Sequence, residues 1–306
     1  MSFNIEYLGA SHDSFVGITA KNFPNESFDK ERLQTFMNRR RPGTSDDVTE
    51  RREPDIPEIE INGNEITIKI KNLDARDHDY ENLKDIPRPG HADYTAYLKC
   101  GEIPIGGGQF SGRMTAPMCA LGGIALQILE RRGITVSAKI KSTGDIEAAK
   151  KHCDSVGGII SAEIKGLPKG LGGPFGDSLE SRLSARLFEI PAVKGIEFGD
   201  GFELAEMVGS KANDQYKLVN GEIVTETNHC GGILGGISNG MPVTLNVAIK
   251  PTPSIGLEQN SVNLKTMEET KIVINGRHDP CIVPRAVPVV EAMIAITILE
   301  ILEEDK

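Results

Sequence analysis

Pro288-Val-Val-Glu-Ala-Met-Ile-Ala-Ile-Thr-Ile-Leu-Glu-Ile-Leu-Glu303 is apolar almost all the way round a helical wheel. A helix of that kind is buried on most of its sides. At sixteen residues with three glutamates it is too short and too charged to span a bilayer. Something must therefore cover it on both flanks, and the segments upstream supply candidates. Val243–Ile249, VTLNVAI, reads as a strand, and 134–140 and 158–165 alternate like strands with a helix expected between them at 145–154. Residues 58–71, EIEINGNEITIKIK, alternate around Asn62-Gly63-Asn64 and predict a hairpin. Three more helices are expected. Residues 116–132 form a mostly apolar one stopped by Gly133, 178–189 a short amphipathic one, and 28–40 one with Leu33, Phe36 and Met37 on a single face. Helices buried between sheets follow from this pattern.

The chain has 306 residues, 39% apolar and 25% charged, which suits a soluble globular protein with a proper core. It shows no fixed-period repeat and no linker long enough to divide it, so a single domain over 1–306 is expected. MSFNIEYLGASHD lacks the basic and apolar regions of a signal peptide, and the cytoplasm is the expected location. The five cysteines, Cys100, Cys119, Cys153, Cys230 and Cys281, are odd in number and contain no CxxC pair, so neither a disulfide framework nor a zinc site is expected. A net charge of −10 argues against nucleic acid as a partner.

Charge is nevertheless uneven. Arg39, Arg40, Arg41, Arg51 and Arg52 fall within fourteen residues. Arg40, Arg88, Arg113 and Arg277 each adjoin a glycine- or proline-bearing turn, and guanidinium forks match carboxylates and phosphates. His12, His91 and His278 lie beside similar turns, where an imidazole could serve as a general acid. The ordinary alternatives are a solvated basic face and structural histidines. The glycine clusters match neither GxGxxG nor a Walker loop, so dinucleotide and P-loop readings fail. The residues alone imply a protein that binds a small polyanion, with room for a phosphate-bearing cofactor.

Eight stretches add more. RRRPGTS (39–45), RREPD (51–55), RPGHADYT (88–95), GGGQFSGRMTA (106–116), AVKGIEFGDGF (192–202), GGILGGISNGMP (231–242), KPTPSI (250–255) and GRHDPCIVPRAVPVVEAM (276–293) resemble the chorismate synthases in content and order. The resemblance implies an α+β fold, a β-α-β sandwich with helices packed between two antiparallel sheets, usually assembled as a homotetramer. It implies a lyase of the shikimate pathway, on the route to the aromatic amino acids. Such a lyase removes phosphate by 1,4-elimination from 5-O-(1-carboxyvinyl)-3-phosphoshikimate, with reduced FMN and no net redox change; NADPH is a possible reductant. By motif position, His12, with Ser11 beside it, would protonate the leaving phosphate. His91 would protonate or hydrogen-bond the flavin at N1, and Asp279 would act with flavin N5 to remove the ring proton. Arg40, Arg88, Arg113 and Arg277 would hold the substrate. Ser111, Ala192, Gly235, Lys250, Pro251, Thr252, Pro253, Ser254 and Arg277 would line the FMN. No metal is implied. The chain departs from the family at Ala10 and Asp13, where the motif usually reads Gly-Glu-Ser-His-Gly, at Gln109-Phe110 in place of Arg-Ser, at Met114 in place of Glu, and at Asp46, and its N-terminal third looks short. A related phosphorylated cyclitol as substrate, or a silent flavin- or anion-binding protein, are the other readings.

Overall fold

The apolar C-terminal stretch is the helix α7, Val283–Glu304, with seventeen buried residues. The computed structural model describes residues 2–42, 52–74, 83–274 and 279–305. Helix α7 starts five residues before the expected Pro288. Pro284 falls in its first turn, where a missing N–H leaves no bond unmade, and only Pro288 is interior.

The layers follow from what α7 touches. On one side it packs against β5 (Thr135–Thr143) and β6 (Gly158–Lys165), on the other against α3 (Thr115–Arg131). Helix α3 in turn packs on β2 (Phe15–Lys21) and β4 (Glu65–Lys71). Each strand pair belongs to a four-stranded antiparallel sheet. One has the order β1-β2-β4-β3, with β1 at Asn4–Gly9 and β3 at Glu58–Asn62. The other has the order β5-β6-β12-β7, with β7 at Val193–Phe198 and β12 at Val243–Ile249. Two antiparallel sheets thus enclose a helical layer, as expected. One apolar cluster runs from Val16, Ile18 and Ile68 through Leu121 and Ile124 to Val290, Ile294, Ile160 and Val247. Each such fully buried side chain contributes about 1.5–3 kcal/mol.

At the centre, α3 and α7 meet almost backbone to backbone. A Cβ placed on Gly122 would lie 2.3 Å from the Cβ of Ala292. No larger residue fits there without moving a helix.

Two further helices complete the layer. In α1 (Lys30–Arg40), capped by Asp29, the buried residues are Leu33, Met37 and Arg40. Their i, i+4, i+7 spacing carries Arg40 inward on the apolar face. In α5 (Leu179–Leu187), capped by Ser178, Leu179, Leu183 and Leu187 do the burying. The short α4 (Ile146–Lys151) lies between β5 and β6. The expected hairpin is β3–β4, in register Asn62 to Glu65. Strands β1 and β2 were not evident from the sequence. Gly17 and Ala20 blur the alternation of β2, whose residues Val16 to Ala20 are all buried.

Candidate active site

A cavity of about 630 Å³ opens where the N-terminal ends of α3 and α7 come together. That volume suits a substrate-sized ligand. The helix starts add partial positive charge. Six Lys and Arg side chains line the cavity against two carboxylates, Glu189 and Asp279, so an acidic chain carries a cationic pocket.

One wall is built on a glycine turn. Gly106, Gly107 and Gly108 have φ of +59°, +86° and +53°. The left-handed region suits glycine, but the stronger constraint is space. A Cβ on Gly106 would fall 1.7 Å from His12 Cε1, and one on Gly107 would fall 2.9 Å from His91 Cε1. The bare backbone lets the two imidazoles lie against adjacent residues of one turn. Ser11, fully buried behind the wall, has its Oγ 3.0 Å from His12 Nδ1 and donates to the Gly106 carbonyl at 3.3 Å.

His91 belongs to a second cluster. Its Nδ1 lies 2.5 Å from Asp93 Oδ1, at the start of α2 (Asp93–Cys100). Asp93 also receives Arg88 through Nε at 2.7 Å and Nη2 at 2.8 Å. Burial alone would raise the Asp93 pKa, but hydrogen bonds from Arg88 and His91 and their charge hold it well below the usual carboxylate range. Arg88 Nη1 reaches on to Ser254 Oγ at 3.2 Å.

The opposite wall carries Arg40 and Arg113, both buried, with the carboxylate of Asp55 between their Nη1 atoms. Arg40 donates from Nε to Thr115 Oγ1 at 3.0 Å, and Arg113 from Nε to Asn72 Oδ1 at 2.8 Å. Asn72 Nδ2 then donates to the carbonyls of Ala10 and Asp13, which ties the loop bearing Ser11 and His12 to Arg113. Asp55 is wholly buried at φ +48°, a conformation held by its two ion pairs. Burial pushes its pKa up, and the charges of Arg40 and Arg113 more than reverse that.

The floor comes from the second sheet. Lys250 extends β12 and donates from N to the Ala192 carbonyl at 2.9 Å and from Nζ to the Gly90 carbonyl. Thr252 Oγ1 donates to the Asp279 carbonyl at 2.7 Å. The Asp279 carboxylate pairs with Arg285 at 2.8 Å, and Arg285 Nε donates to the Arg40 carbonyl at 3.1 Å. Arg285 thus joins the floor to the arginine wall.

Comparison with known proteins supplies the family. The sequence pattern of the family described as "Chorismate synthase" matches residues 3–149 and 141–302. The chain belongs to the chorismate synthase family. The chorismate synthase of Thermococcus kodakarensis is 40% identical over 340 residues, which cover 98% of this chain and 95% of the relative. That of Lachnoclostridium phytofermentans is 41% identical over 342 residues, covering 98% and 93%. A solved structure, "Crystal Structure of Chorismate Synthase", superposes with a TM-score of 0.74 at 22% identity, covering this whole chain and 93% of the other, and shows the same fold. The two family matches share residues 141–149, at the end of β5 and in α4.

Among the residues expected at a chorismate synthase site, His12, His91, Asp279, Arg40, Arg88, Arg113, Ser111, Ala192, Lys250, Thr252, Pro253 and Ser254 all line the one cavity. Ser11 stands behind His12, and Pro251 is in the floor loop without lining the cavity. Gly235 is not at the cavity. It sits in the turn between β10 (Ile233–Leu234) and β11 (Ile237–Ser238), whose next residue, Gly236, approaches Gly173 and Ser178 at the start of α5. Arg277 and His278 lie outside the described residues, as does Asp46. Of the departures, Gln109 and Phe110 face the cavity, whereas Met114 is 3% exposed in the apolar core and leaves the cavity charge untouched. Asp55, Asp93, Thr115 and Arg285 were missed as site residues, although all four lie inside the quoted motifs. Among the described residues no group of three or more His, Cys, Asp or Glu side chains could hold a metal, and no helix is long and apolar enough to cross a membrane.

Proposed function

We propose that this protein is a carbon–oxygen lyase that eliminates phosphate from 5-O-(1-carboxyvinyl)-3-phosphoshikimate to give chorismate, with reduced FMN bound in the same cavity. The observation that carries the reading is the convergence of His12 and His91 on adjacent glycines of one turn, in a cationic cavity that also holds Asp279.

The residues fit the cofactor. Lys250, Thr252, Ser254 and Arg88 offer donors and charge for a phosphate, and Phe188, Ile190, Ile282 and Val289 offer apolar surface for a fused ring. Bound there, reduced FMN would supply electron density to the substrate as phosphate leaves. The protein's own part is positional and protonic. Arg40 and Arg113, bridged by Asp55, bind the anionic groups and orient the ring. His12 donates a proton to the departing phosphate oxygen, with Ser11 fixing its ring. Asp279, anchored by Arg285, accepts the ring proton. His91 exchanges a proton or shares a hydrogen bond with the cofactor. The reading carries with it a homotetramer in the cytoplasm, and NADPH as a candidate reductant.

The test is an anaerobic assay with the phosphoshikimate substrate and chemically reduced FMN. Chorismate and inorganic phosphate should appear in equal amounts, and oxidised FMN without reductant should give neither. Tight FMN binding with no turnover of this substrate would overturn the reading in favour of a related cyclitol or a silent binder. Repeating the assay in air with oxidised FMN and NADPH tells whether the protein reduces its own flavin.

A further inference from the structure

The acceptor pattern around Asp93 determines which nitrogen of His91 can do chemistry. Asp93 is 1% exposed and is surrounded by donors. Its Oδ2 receives the Arg88 backbone N–H at 3.0 Å and Nε at 2.7 Å. Its Oδ1 receives Arg88 Nη2 at 2.8 Å and faces His91 Nδ1 at 2.5 Å. Arg88 Nη2 also lies 3.1 Å from Nδ1, but the carboxylate contact is much the shorter and an ionised carboxylate only accepts, so the hydrogen of that contact sits on His91 Nδ1. The far edge of the ring lies against the glycine turn, where a Cβ on Gly107 would come within 2.9 Å of Cε1 and 3.1 Å of Nε2. The imidazole is therefore held from both edges, with Arg88 Nη2 3.1 Å from Nδ1 and 3.4 Å from Nε2, and His91 lines the cavity.

We propose that Asp93 is a positioning residue that fixes His91 as the Nδ1–H tautomer, so that Nε2 is the atom that exchanges a proton at the cavity. This rests on the part given to His91 under the proposed function. The same carboxylate orients Arg88 toward Ser254, so one buried anion sets both a proton-transfer group and an anion-binding cation.

Asp93→Asn makes the test sharp. The two Arg88 donors at Oδ2 select the amide oxygen for that place. The amide NH₂ then replaces Oδ1 and points a donor at His91 Nδ1, which must give up its hydrogen to accept. The tautomer reverses, and kcat should fall by about 100-fold or more, as when an orienting aspartate of a catalytic histidine is replaced by asparagine.

The readout is ¹⁵N NMR of full-length protein carrying ¹⁵N-histidine, with the His91 signals assigned by their loss in His91→Gln. Wild type should show Nδ1 protonated, and Asp93→Asn should show it bare. Asp93→Glu, which keeps the anion, should retain a protonated Nδ1 and recover kcat at least tenfold over Asp93→Asn. A bare Nδ1 in wild type, a protonated Nδ1 in Asp93→Asn, or a reversed tautomer with kcat unchanged would each overturn the proposal. Should Asp93→Asn fail to fold, wild type and Asp93→Glu decide it by the same signals. Should wild type make no chorismate, the proposed function falls while the tautomer result stands by itself.

Discussion

The arginine wall and the histidine wall of the cavity are built on the same device and put it to different ends. Each centres on a buried aspartate between two donor groups, Asp55 between Arg40 and Arg113, and Asp93 between Arg88 and His91. Both partners of Asp55 are permanent cations, so that cluster can only hold shape and charge. One partner of Asp93 is an imidazole, so that cluster can also govern a proton. The identity of one partner separates a strut from a switch.

The largest effect should fall on the strut. Asp55→Ala leaves two buried guanidinium groups without their shared anion and should lose about 3–5 kcal/mol of stability in denaturant titration. A loss below about 1 kcal/mol would mean that the other partners of Arg40 and Arg113, among them Thr115, Gly112, Asn72, Lys71 and Glu53, hold them without Asp55.

On the histidine wall rate should suffer more than stability. His12→Ala should lower kcat by about 10²–10⁴-fold with a small change in melting temperature. Gly106→Ala should mimic it, since the new Cβ must displace the His12 ring. Added to His12→Ala, however, it should cost little further rate. Multiplying defects would show that the turn acts otherwise than through His12.

Acid should weaken both walls. The folded pKa values of Asp55 and Asp93 are depressed, so their stabilisation is present above the unfolded value of about 3.9 and is lost as pH falls through the folded values. Unfolding measured from about pH 6 down to 2 should show stability dropping at the acid end, and Asp55→Asn should flatten that drop. A profile identical to wild type would remove Asp55 from the account.

The smallest effect belongs to the surface. Lys71 and Glu58 pair at 2.7 Å with both side chains mostly exposed, and Lys71→Ala should leave the denaturation midpoint within scatter.

The two hubs also differ in what the sequence discloses. Arg88 and Asp93 are five residues apart within one turn, so the pairing was open to a local reading. Asp55 meets Arg40 across 15 residues and Arg113 across 58. In RREPD it looks like one more solvated charge, and nothing local says that α1 and the start of α3 bring two guanidinium groups to it. The long helices were legible because their burial repeats with the helical period, as at Leu33, Met37 and Arg40 or Leu179, Leu183 and Leu187. Strand β2 was not, because Gly17 and Ala20 serve close packing and carry no apolar signal. Arg285 lay one residue past a proline in a helix expected to begin later, so its reach to Asp279 could not be foreseen.

The contact of Gly122 with Ala292 has a mechanical consequence. Thr115 and Arg285, both at the cavity, lie seven residues before Gly122 and Ala292 respectively, about 10 Å along each helix. The crossing is thus a pivot with two arms of equal length, and the cavity lies between their tips. Because the pivot is main chain on one side and a single methyl group on the other, with no flexible side chain to yield, the jaws are gauged by how closely the two helices approach. A single methyl group added at Gly122 would spread that opening.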